Sequence, residues 1–304
     1  MDNFEDTMDT AAIPAAIRYL GVADPLAAYF VRDETFTNLS LMAEKAYAMA
    51  PFFLKFGDRC LGRRPLNLWL DINVAIDAWY LREVRKYLNS HATLINLGVG
   101  YDTKMFSQLR ADLTRGHRVF EVDFDEIIQQ RLSVFAAVDQ HLLWLPCPLT
   151  TIGCDVACVS ELERELRTRR AFQEPALVQM ERLLMYFDAA HISKLLTMLA
   201  TCLPRGSILL ADFINVAMFD EVYEKMPDWG AMWQRTEKPF GLLRAAGWNL
   251  LATPDNDLRR LYKIGKVTCL TNILLGRTST MSRFDSSPHQ AEPMLLTFAA
   301  TNNL

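Results

Sequence analysis

The stretch that decides the fold is LINLGVGYDT, residues 94–103. Its first four residues form a short apolar run typical of a buried strand, and Gly98 and Gly100 then make a G-x-G turn followed by Asp102. Glycines at the end of a strand let a ligand approach the backbone because no Cβ stands in the way. In an open α/β sheet, ligands lie beyond the carboxyl ends of such strands. The stretch therefore predicts a ligand-binding turn between a strand and a helix.

A second strand, at 119–124, carries the acids Glu121 and Asp123 near its end, where a ribose can be held by its hydroxyls. The full dinucleotide pattern G-x-G-x-x-G is absent, because Thr103 occupies the third glycine position. That glycine serves close helix–strand packing under a pyrophosphate. A nucleoside cofactor without phosphates does not need it, so the loop favours S-adenosylmethionine over NAD. An ordinary glycine-containing turn is the alternative.

The composition narrows the class of protein. With 304 residues, 51% of them hydrophobic, the chain can bury a sizeable core in one large or two small domains. A net charge of -4 argues against nucleic acid as a partner. No apolar run approaches the roughly 18 residues of a membrane span, and no secretory leader is visible. The six cysteines are scattered, and Cys154 and Cys158 lack a second pair, so we expect reduced thiols, no metal site and a cytoplasmic protein.

The pattern divides the chain into two parts that form one structural unit. Residues 1–90 are expected to form an N-terminal helical cover, and 91–304 the cofactor-binding domain. The expected helices of the cover are Ala11–Val31, Leu39–Phe56 and Leu66–Leu88. The apolar but irregular region 214–238 is either a lid or substrate insert, or a packed helix pair.

Beyond residue 93 strands and helices alternate, which predicts an α/β fold with a mostly parallel sheet and helices on both faces. Strands are expected at 93–97, 118–122, 142–145, 176–180, 207–213 and 267–275. Helices are expected at 103–113, 124–138, 159–169, 188–202 and 239–246, with Asp188 as a helix cap. A last strand near 294–300 is expected to be an antiparallel late strand.

With these residues in place, the chain resembles the leucine carboxyl methyltransferase family of S-adenosylmethionine-dependent enzymes from roughly Arg18 to the end. The matching blocks are DPLAAYFV at 24–31, NLGVGYDT at 96–103, FEVDF at 120–124, Asp155 with SELE at 160–163, ERLLMY at 181–186 and LLRAAGW at 242–248. The resemblance implies a Rossmann-like class I methyltransferase sheet with an N-terminal helical cover, and S-adenosylmethionine as the cofactor.

The resemblance also implies roles for individual residues. Gly98 and Gly100 would lie against the cofactor, and Asp123 would bind the ribose. Asp155 would bind the adenine amino group, with Val156 beside the adenine ring. Glu181 would lie near the methionyl part. Asp102 and Glu121, in the same two blocks, complete the cofactor-binding candidates. Tyr186 is the candidate for orienting the methyl acceptor, and a packing role is its alternative.

One departure from the family stands out. In the helix before the first strand, family members carry an arginine that pairs with the cofactor carboxylate. In this chain the corresponding stretch is Ile72–Asp77, and residues 66–81 contain no Arg or Lys. Ile13 stands near the place of a second family cation. Three explanations remain: backbone amides alone hold the cofactor, the fold has dropped methyl transfer, or a cation comes from the cover. The candidates for that cation are Arg18, Arg32, Arg63 and Arg64.

The first functional hypothesis is methyl transfer to a carboxylate, on a small carboxylic acid or a protein C-terminal leucine. A carboxylate is already ionised at neutral pH, so no strong general base is required. Alternatives are a degenerate member that acts as a binding or regulatory protein or a non-methylating catalyst, and an NAD-dependent oxidoreductase, which would need the glycine that Thr103 replaces. A tRNA substrate is disfavoured by the acidic charge. The sequence leaves the oligomeric state open.

Overall fold

The computed structural model describes residues 12, 15, 16, 18–20, 22–31, 65–214, 234, 236, 239–252 and 295–302. The helix expected at 39–56, the strand expected at 267–275 and most of the expected insert at 214–238 lie outside these residues. None of the described helices combines the length and the apolar character that a membrane span requires.

The described strands form one seven-stranded sheet. They are β1 (Thr93–Leu97), β2 (Arg118–Asp123), β3 (Leu149–Gly153), β4 (Ala176–Met180), β5 (Ile208–Ile214), β6 (Trp248–Ala252) and β7 (Leu295–Asn302). Their order is β3-β2-β1-β4-β5-β7-β6, and the first five are parallel. Strand β7 runs antiparallel between β5 and β6. The predicted α/β fold, a mostly parallel sheet with an antiparallel late strand, is confirmed.

The central strands are mostly apolar in sequence and are buried on both faces. All five residues of β1, and all five of β4, are buried. Successive residues of a strand point to opposite faces, so Leu94 packs in one hydrophobic cluster and Ile95 in the other. Such apolar strands are typical of parallel sheets covered by helices on each side.

Helices cover both faces of this sheet. They are α1 (Pro65–Leu88), α2 (Lys104–Ser107), α3 (Asp125–Ala137), α4 (Gln140–Leu143), α5 (Val159–Thr168), α6 (Ala189–Cys202) and α7 (Pro239–Ala245). The predicted cap of α6 is confirmed, because the Asp188 side chain accepts a hydrogen bond from the His191 N–H at 2.8 Å.

The strand predicted at 142–145 is wrong. Residues 140–143 form the single turn α4, whose first turn is capped by the Asp139 carboxylate accepting from the His141 N–H at 3.0 Å. A four-residue apolar run fits a strand or a helix equally well, and the capping acid decides for the helix. The third strand begins only at Leu149, the helix expected at 103–113 is only the short α2, and β6 had not been predicted.

The described part of the N-terminal cover shares the core of the sheet. Leu26, Trp79 and Tyr80 belong to the same hydrophobic cluster as Leu94 and Leu177 of the central strands. This shared core supports one structural unit, while the division at residue 90 stays a prediction.

Candidate functional site

The predicted site residues lie at one edge of the sheet, where four neighbouring parallel strands end. Asp155 lies two residues beyond β3, Asp123 ends β2, Gly98 follows β1 and Glu181 follows β4. Between β1 and β4 the chain connections diverge to opposite sides of the sheet, which makes this pair the topological switch point. Ligands of open α/β sheets bind in the crevice at such a point.

The G-x-G turn is closely fitted to its surroundings. Gly98 has φ +67 and Gly100 has φ +50, both in the left-handed region that favours glycine. A Cβ at Gly98 would lie 2.7 Å from Leu183 Cδ1. The Gly98 N–H donates to the Val122 carbonyl at 2.8 Å, which ties the turn to β2.

The turn is also tied to the acid that ends β2. Asp123 accepts hydrogen bonds from the Gly100 N–H at 2.6 Å and the Phe124 N–H at 2.8 Å. Burial raises the pKa of Asp123, and these two donors oppose the rise. Each carboxylate oxygen has further lone pairs, so Asp123 can still accept from ligand hydroxyls.

Asp155 and Val156 lie just beyond β3, next to Asp123 along the edge. The Asp155 side chain is half-buried and accepts from the Ala157 N–H at 2.8 Å, while Val156 is buried. A hydrogen-bond acceptor beside an apolar side chain suits an aromatic amine, because the acceptor binds the amino group and the apolar side chain packs against the ring.

A second group of charged side chains lies at the switch point and is called the buried charge cluster below. Its members are Arg18, Asp77, Asp102, Lys104, Glu181 and Arg182. They come from the N-terminal segment, α1, the G-x-G loop, the start of α2 and the end of β4.

Two of its cations reach the acid of the G-x-G loop. Arg18 Nη1 lies 3.2 Å from Asp102 Oδ1 and 3.8 Å from Asp77 Oδ2. Lys104 Nζ lies 3.3 Å from Asp102 Oδ2 and also contacts Glu181. Arg18 and Lys104 are each 2% exposed, so their charges depend on these partners rather than on water.

The third cation closes the cluster on the other side. The Arg182 guanidinium lies 3.6 Å from both Asp77 Oδ1 and Glu181 Oε1. Three cations thus face three carboxylates, and the cluster is close to neutral as a whole.

The carboxylates respond differently to this environment. Burial opposes the ionisation of Asp102, but the charges of Arg18 and Lys104 outweigh it and hold the pKa of Asp102 below its ordinary range. Burial also opposes the ionisation of Glu181, but the charges of Lys104 and Arg182 outweigh it and lower the pKa of Glu181. At Asp77, burial and the charge of Glu181 win and raise the pKa to about 6. The two carboxylates nearest Lys104 therefore stay ionised at neutral pH.

Some polar atoms of the cluster are buried without a hydrogen-bond partner. They are the donor Arg18 Nε and the acceptors Asp77 Oδ1 and Glu181 Oε1. Most buried polar atoms of proteins are paired. A cluster with a buried donor and buried acceptors that make no hydrogen bond suits a ligand that carries both an acceptor and a donor.

Behind the G-x-G loop, Arg131 of α3 binds the loop from within the protein. Its guanidinium donates to the carbonyl oxygens of Gly100 at 3.0 Å and Asp102 at 2.7 Å, and to Glu121 Oε2 at 2.8 Å. Arg131 and Glu121 are both fully buried. Glu121, expected among the cofactor-binding residues, therefore contacts the arginine that holds the loop.

A further carboxylate, Asp212 of β5, lies beside the cluster. It accepts from the Tyr80 hydroxyl at 2.8 Å and from the Arg182 N–H at 3.0 and 3.1 Å. Arg182 has φ 55, a left-handed conformation that is unusual for a residue with a Cβ. Burial raises the pKa of Asp212 to about 6.

The comparisons with known proteins now bear on this geometry. The sequence model described as leucine carboxyl methyltransferase matches residues 10–200, more than half of the chain. The chain belongs to this family. The predicted family is thus confirmed, and with it S-adenosylmethionine as the cofactor of the family's chemistry. None of the curated proteins matches the chain.

Solved structures show the same fold. A DUF574 family protein from Streptomyces avermitilis has a TM-score of 0.54 and 14% identity, covering 78% of this chain and 86% of that one. A proposed methyltransferase from Thermobifida fusca has a TM-score of 0.51 and 16% identity, covering 77% and 83%. At such identities the likeness confirms the fold alone.

The site of this family member fits S-adenosylmethionine on its own chemistry. Arg18 Nε makes no hydrogen bond and can donate to a carboxylate, and the oxygens Asp77 Oδ1 and Glu181 Oε1, which accept no hydrogen bond, can accept from an ammonium group. An amino-acid zwitterion is net neutral, so it adds to a balanced cluster without an uncompensated buried charge. At Gly98, a side chain would occupy space that Leu183 fills.

One of the four candidate arginines of this member of the leucine carboxyl methyltransferase family lies at the site. Arg18 of the cover reaches the G-x-G loop, whereas Arg32, Arg63 and Arg64 lie outside the described residues. The N-terminal segment is held there by Asp24, which accepts from the hydroxyls of Thr103 and Ser107, each at 2.7 Å.

Sequence reasoning missed Asp77 of α1 and, among others, four members of the site that have a readable signal. Lys104 directly follows the G-x-G-x-D-T loop, and Arg182 follows Glu181. Arg131 stands between Ile127 and Phe135 on the apolar face of α3, and Asp212 interrupts the apolar strand β5. Charged residues at buried positions are rare unless paired, so such interruptions point to a site.

Tyr186, the candidate for orienting the acceptor, ends a short 3₁₀ turn, Leu184–Tyr186, that follows the cluster. Its side chain is 37% exposed, so it lies where a second substrate could reach it. Its backbone N–H donates to the Leu183 carbonyl at 3.1 Å.

Proposed function

We propose that this member of the leucine carboxyl methyltransferase family transfers a methyl group from S-adenosylmethionine to a carboxylate oxygen. The observation that carries the proposal is the Arg18–Asp102 contact, 3.2 Å long, which brings a buried cation to the G-x-G loop. It supplies the charge that the family's helix arginine would otherwise provide.

The cofactor would lie along the carboxyl edge in the order of the strands. Asp155 with Val156 would hold the adenine, and Asp123 the ribose, with Gly98 and Gly100 against the sugar and the sulfur. At the switch point the methionyl end would meet the charge cluster. There Arg18 would donate to its carboxylate, and Asp77 and Glu181 would accept from its ammonium group.

The residues of the site would act by positioning. When bound, S-adenosylmethionine supplies an electrophilic methyl group on a positively charged sulfur. The acceptor carboxylate needs no deprotonation at neutral pH, so the protein has only to align the oxygen with the methyl group and exclude water. Tyr186, which is 37% exposed and follows Arg182 by four residues, would orient the acceptor by its hydroxyl. The acceptor would be a small carboxylic acid or a protein C-terminus in the cytoplasm.

One observation favours a second candidate function. Each cation of the cluster already has carboxylate partners in the chain, so the cluster is balanced without a ligand. A member of the family that binds the nucleoside but no longer transfers a methyl group would keep this arrangement.

Calorimetric titration with S-adenosylmethionine, S-adenosylhomocysteine and 5′-methylthioadenosine tests the cofactor site. We expect micromolar binding of the first two and weaker binding of the third, which lacks the amino-acid end. In Arg18→Met we expect about tenfold weaker binding of the first two and little change for the third, since one charge-assisted hydrogen bond is lost. No binding to the wild-type protein at millimolar ligand would overturn the proposal.

Methyl transfer itself is tested with S-adenosylmethionine labelled at the methyl group, incubated with the protein and a panel of small carboxylic acids and peptides ending in leucine. A carboxyl methyl ester releases labelled methanol in mild base, whereas methylamines and methyl ethers do not. Base-labile label is the expected result. Base-stable label would refute the carboxylate acceptor, and cofactor binding without any transfer would favour the second candidate.

A further inference from the structure

We propose that Tyr80 and Asp212 are positioning residues that hold Arg182 in its left-handed conformation and thereby direct its guanidinium toward Asp77 and Glu181 in the buried charge cluster. The inference rests on the proposed cofactor site. It concerns two residues from elements far apart in the chain, since Tyr80 and Asp212 are separated by 132 positions.

The contacts join three elements at a point from which water is excluded. Asp212 lies in β5 and Tyr80 in α1, and both side chains are fully buried. The Tyr80 hydroxyl donates to Asp212 Oδ2 at 2.8 Å. The Arg182 N–H, at the end of β4, donates to both carboxylate oxygens at 3.0 and 3.1 Å. One carboxylate thus links a helix to the backbone of the neighbouring strand.

The backbone that it holds is strained. Arg182 has φ 55, although a residue with a Cβ disfavours the left-handed region. Arg170 is also left-handed, but its N–H donates to the Arg167 carbonyl at the end of a helix, a common local arrangement. At Arg182 the acceptor is a side chain from another strand. Strain of this kind persists only where the surroundings over-determine it, and it gathers at functional sites.

The left-handed conformation of Arg182 sets where its own side chain points, and its guanidinium lies 3.6 Å from both Asp77 Oδ1 and Glu181 Oε1. Glu181, directly before the turn, contacts Lys104 and accepts from Gln179 Nε2 at 3.3 Å. Its other oxygen, Oε1, is buried without a hydrogen bond. If Arg182 relaxed to an ordinary backbone conformation, its guanidinium would move away from this oxygen and from Asp77, although the fold of β4 would not change.

A carboxylate suits this position because it accepts from two donors at once. A buried carboxyl group is costly unless it is held by hydrogen bonds, and burial does raise the pKa of Asp212 to about 6. Such a group close to the proposed methionyl end is unexplained by packing alone, since an apolar residue would fill β5 more favourably.

The inference is tested by comparing the affinity for S-adenosylhomocysteine, which has the amino-acid end, with that for 5′-methylthioadenosine, which lacks it. Tyr80→Phe removes one hydroxyl and keeps the ring. We expect it to weaken S-adenosylhomocysteine about tenfold, the effect of one buried hydrogen bond, and to leave 5′-methylthioadenosine within about twofold. Asp212→Ala should weaken the binding of S-adenosylhomocysteine more strongly, again with little effect on 5′-methylthioadenosine. Asp212→Asn should bind S-adenosylhomocysteine more tightly than Asp212→Ala does.

The matched control is Tyr87→Phe, which removes a half-buried hydroxyl from the same helix without touching Asp212. It should leave both affinities unchanged. The inference is overturned if Tyr80→Phe weakens both ligands equally, or lowers only the unfolding temperature, because either result describes a merely structural bond. Failure of the proposed function looks different, since the wild-type protein would then bind neither ligand.

Discussion

Substitution of Gly98 by alanine tests the reasoning on the G-x-G turn. Gly98 combines two constraints, a φ of +67 and a Cβ position 2.7 Å from Leu183 Cδ1. Two other glycines allow the backbone constraint and the steric constraint to be tested separately. Gly206 has φ +85 but nothing within 4 Å of its Cβ position, and Gly116 has only Thr114 Oγ1, at an ordinary 3.7 Å. The three alanine variants therefore form a matched series.

The magnitudes follow from these environments. A left-handed backbone costs an L-residue about 1–2 kcal/mol, which is the whole effect expected for Gly206→Ala. Gly98→Ala adds the displacement of Leu183, whose flexible end can move away for about 1 kcal/mol, so we expect a total of about 2–3 kcal/mol. Gly116→Ala should be neutral or stabilise by about 0.5 kcal/mol, because it reduces the entropy of the unfolded chain.

The assay is urea unfolding of the three variants, followed by titration of each folded protein with S-adenosylhomocysteine. Only Gly98→Ala should also bind the ligand more weakly, since the clash with Leu183 would shift the turn against which the cofactor is proposed to lie. Equal stability of Gly98→Ala and Gly116→Ala would refute the argument from backbone conformation. Weaker stability with unchanged binding would place the cofactor away from this turn.

Two further predictions concern buried charges. Arg131→Met should destabilise the protein by about 3–5 kcal/mol, because it leaves the Glu121 carboxylate buried and unpaired. Adding Glu121→Gln should restore more than half of the lost stability. The control is Arg167→Met, which removes an exposed ion pair, and an equal urea midpoint for Arg131→Met and Arg167→Met would contradict the prediction. For Asp212, the raised pKa means that the folded protein binds this proton more tightly than the unfolded chain. The cost to stability is therefore absent below the ordinary pKa of 3.8, grows as the pH rises and levels off above about 6. The stability of Asp212→Asn relative to wild type should therefore improve by roughly 1 kcal/mol between pH 5 and pH 8, and a constant difference in urea unfolding would show that Asp212 does not titrate there.

Much of the fold could be predicted because its signals are local. The apolar run at 93–97 and the glycines after it specify a buried strand and its turn without reference to distant residues. The capped helix after Asp188 and the late antiparallel strand were equally readable. The error at 142–145 arose where an apolar run was too short to show a period, so that the cap at Asp139 decided its conformation.

The sequence by itself determined the α/β architecture, the G-x-G loop and the acids at the ends of β2 and β4, because periodicity and turn chemistry are written in neighbouring residues. Only the tertiary structure decided which cation serves the loop and how the charges balance. Lys104 and Glu181 lie 77 positions apart in the sequence, and Tyr80 and Asp212 lie 132 apart, yet each pair is in contact. Burial makes these contacts specific, since a charged group removed from water is stable only beside a partner that the tertiary fold brings next to it.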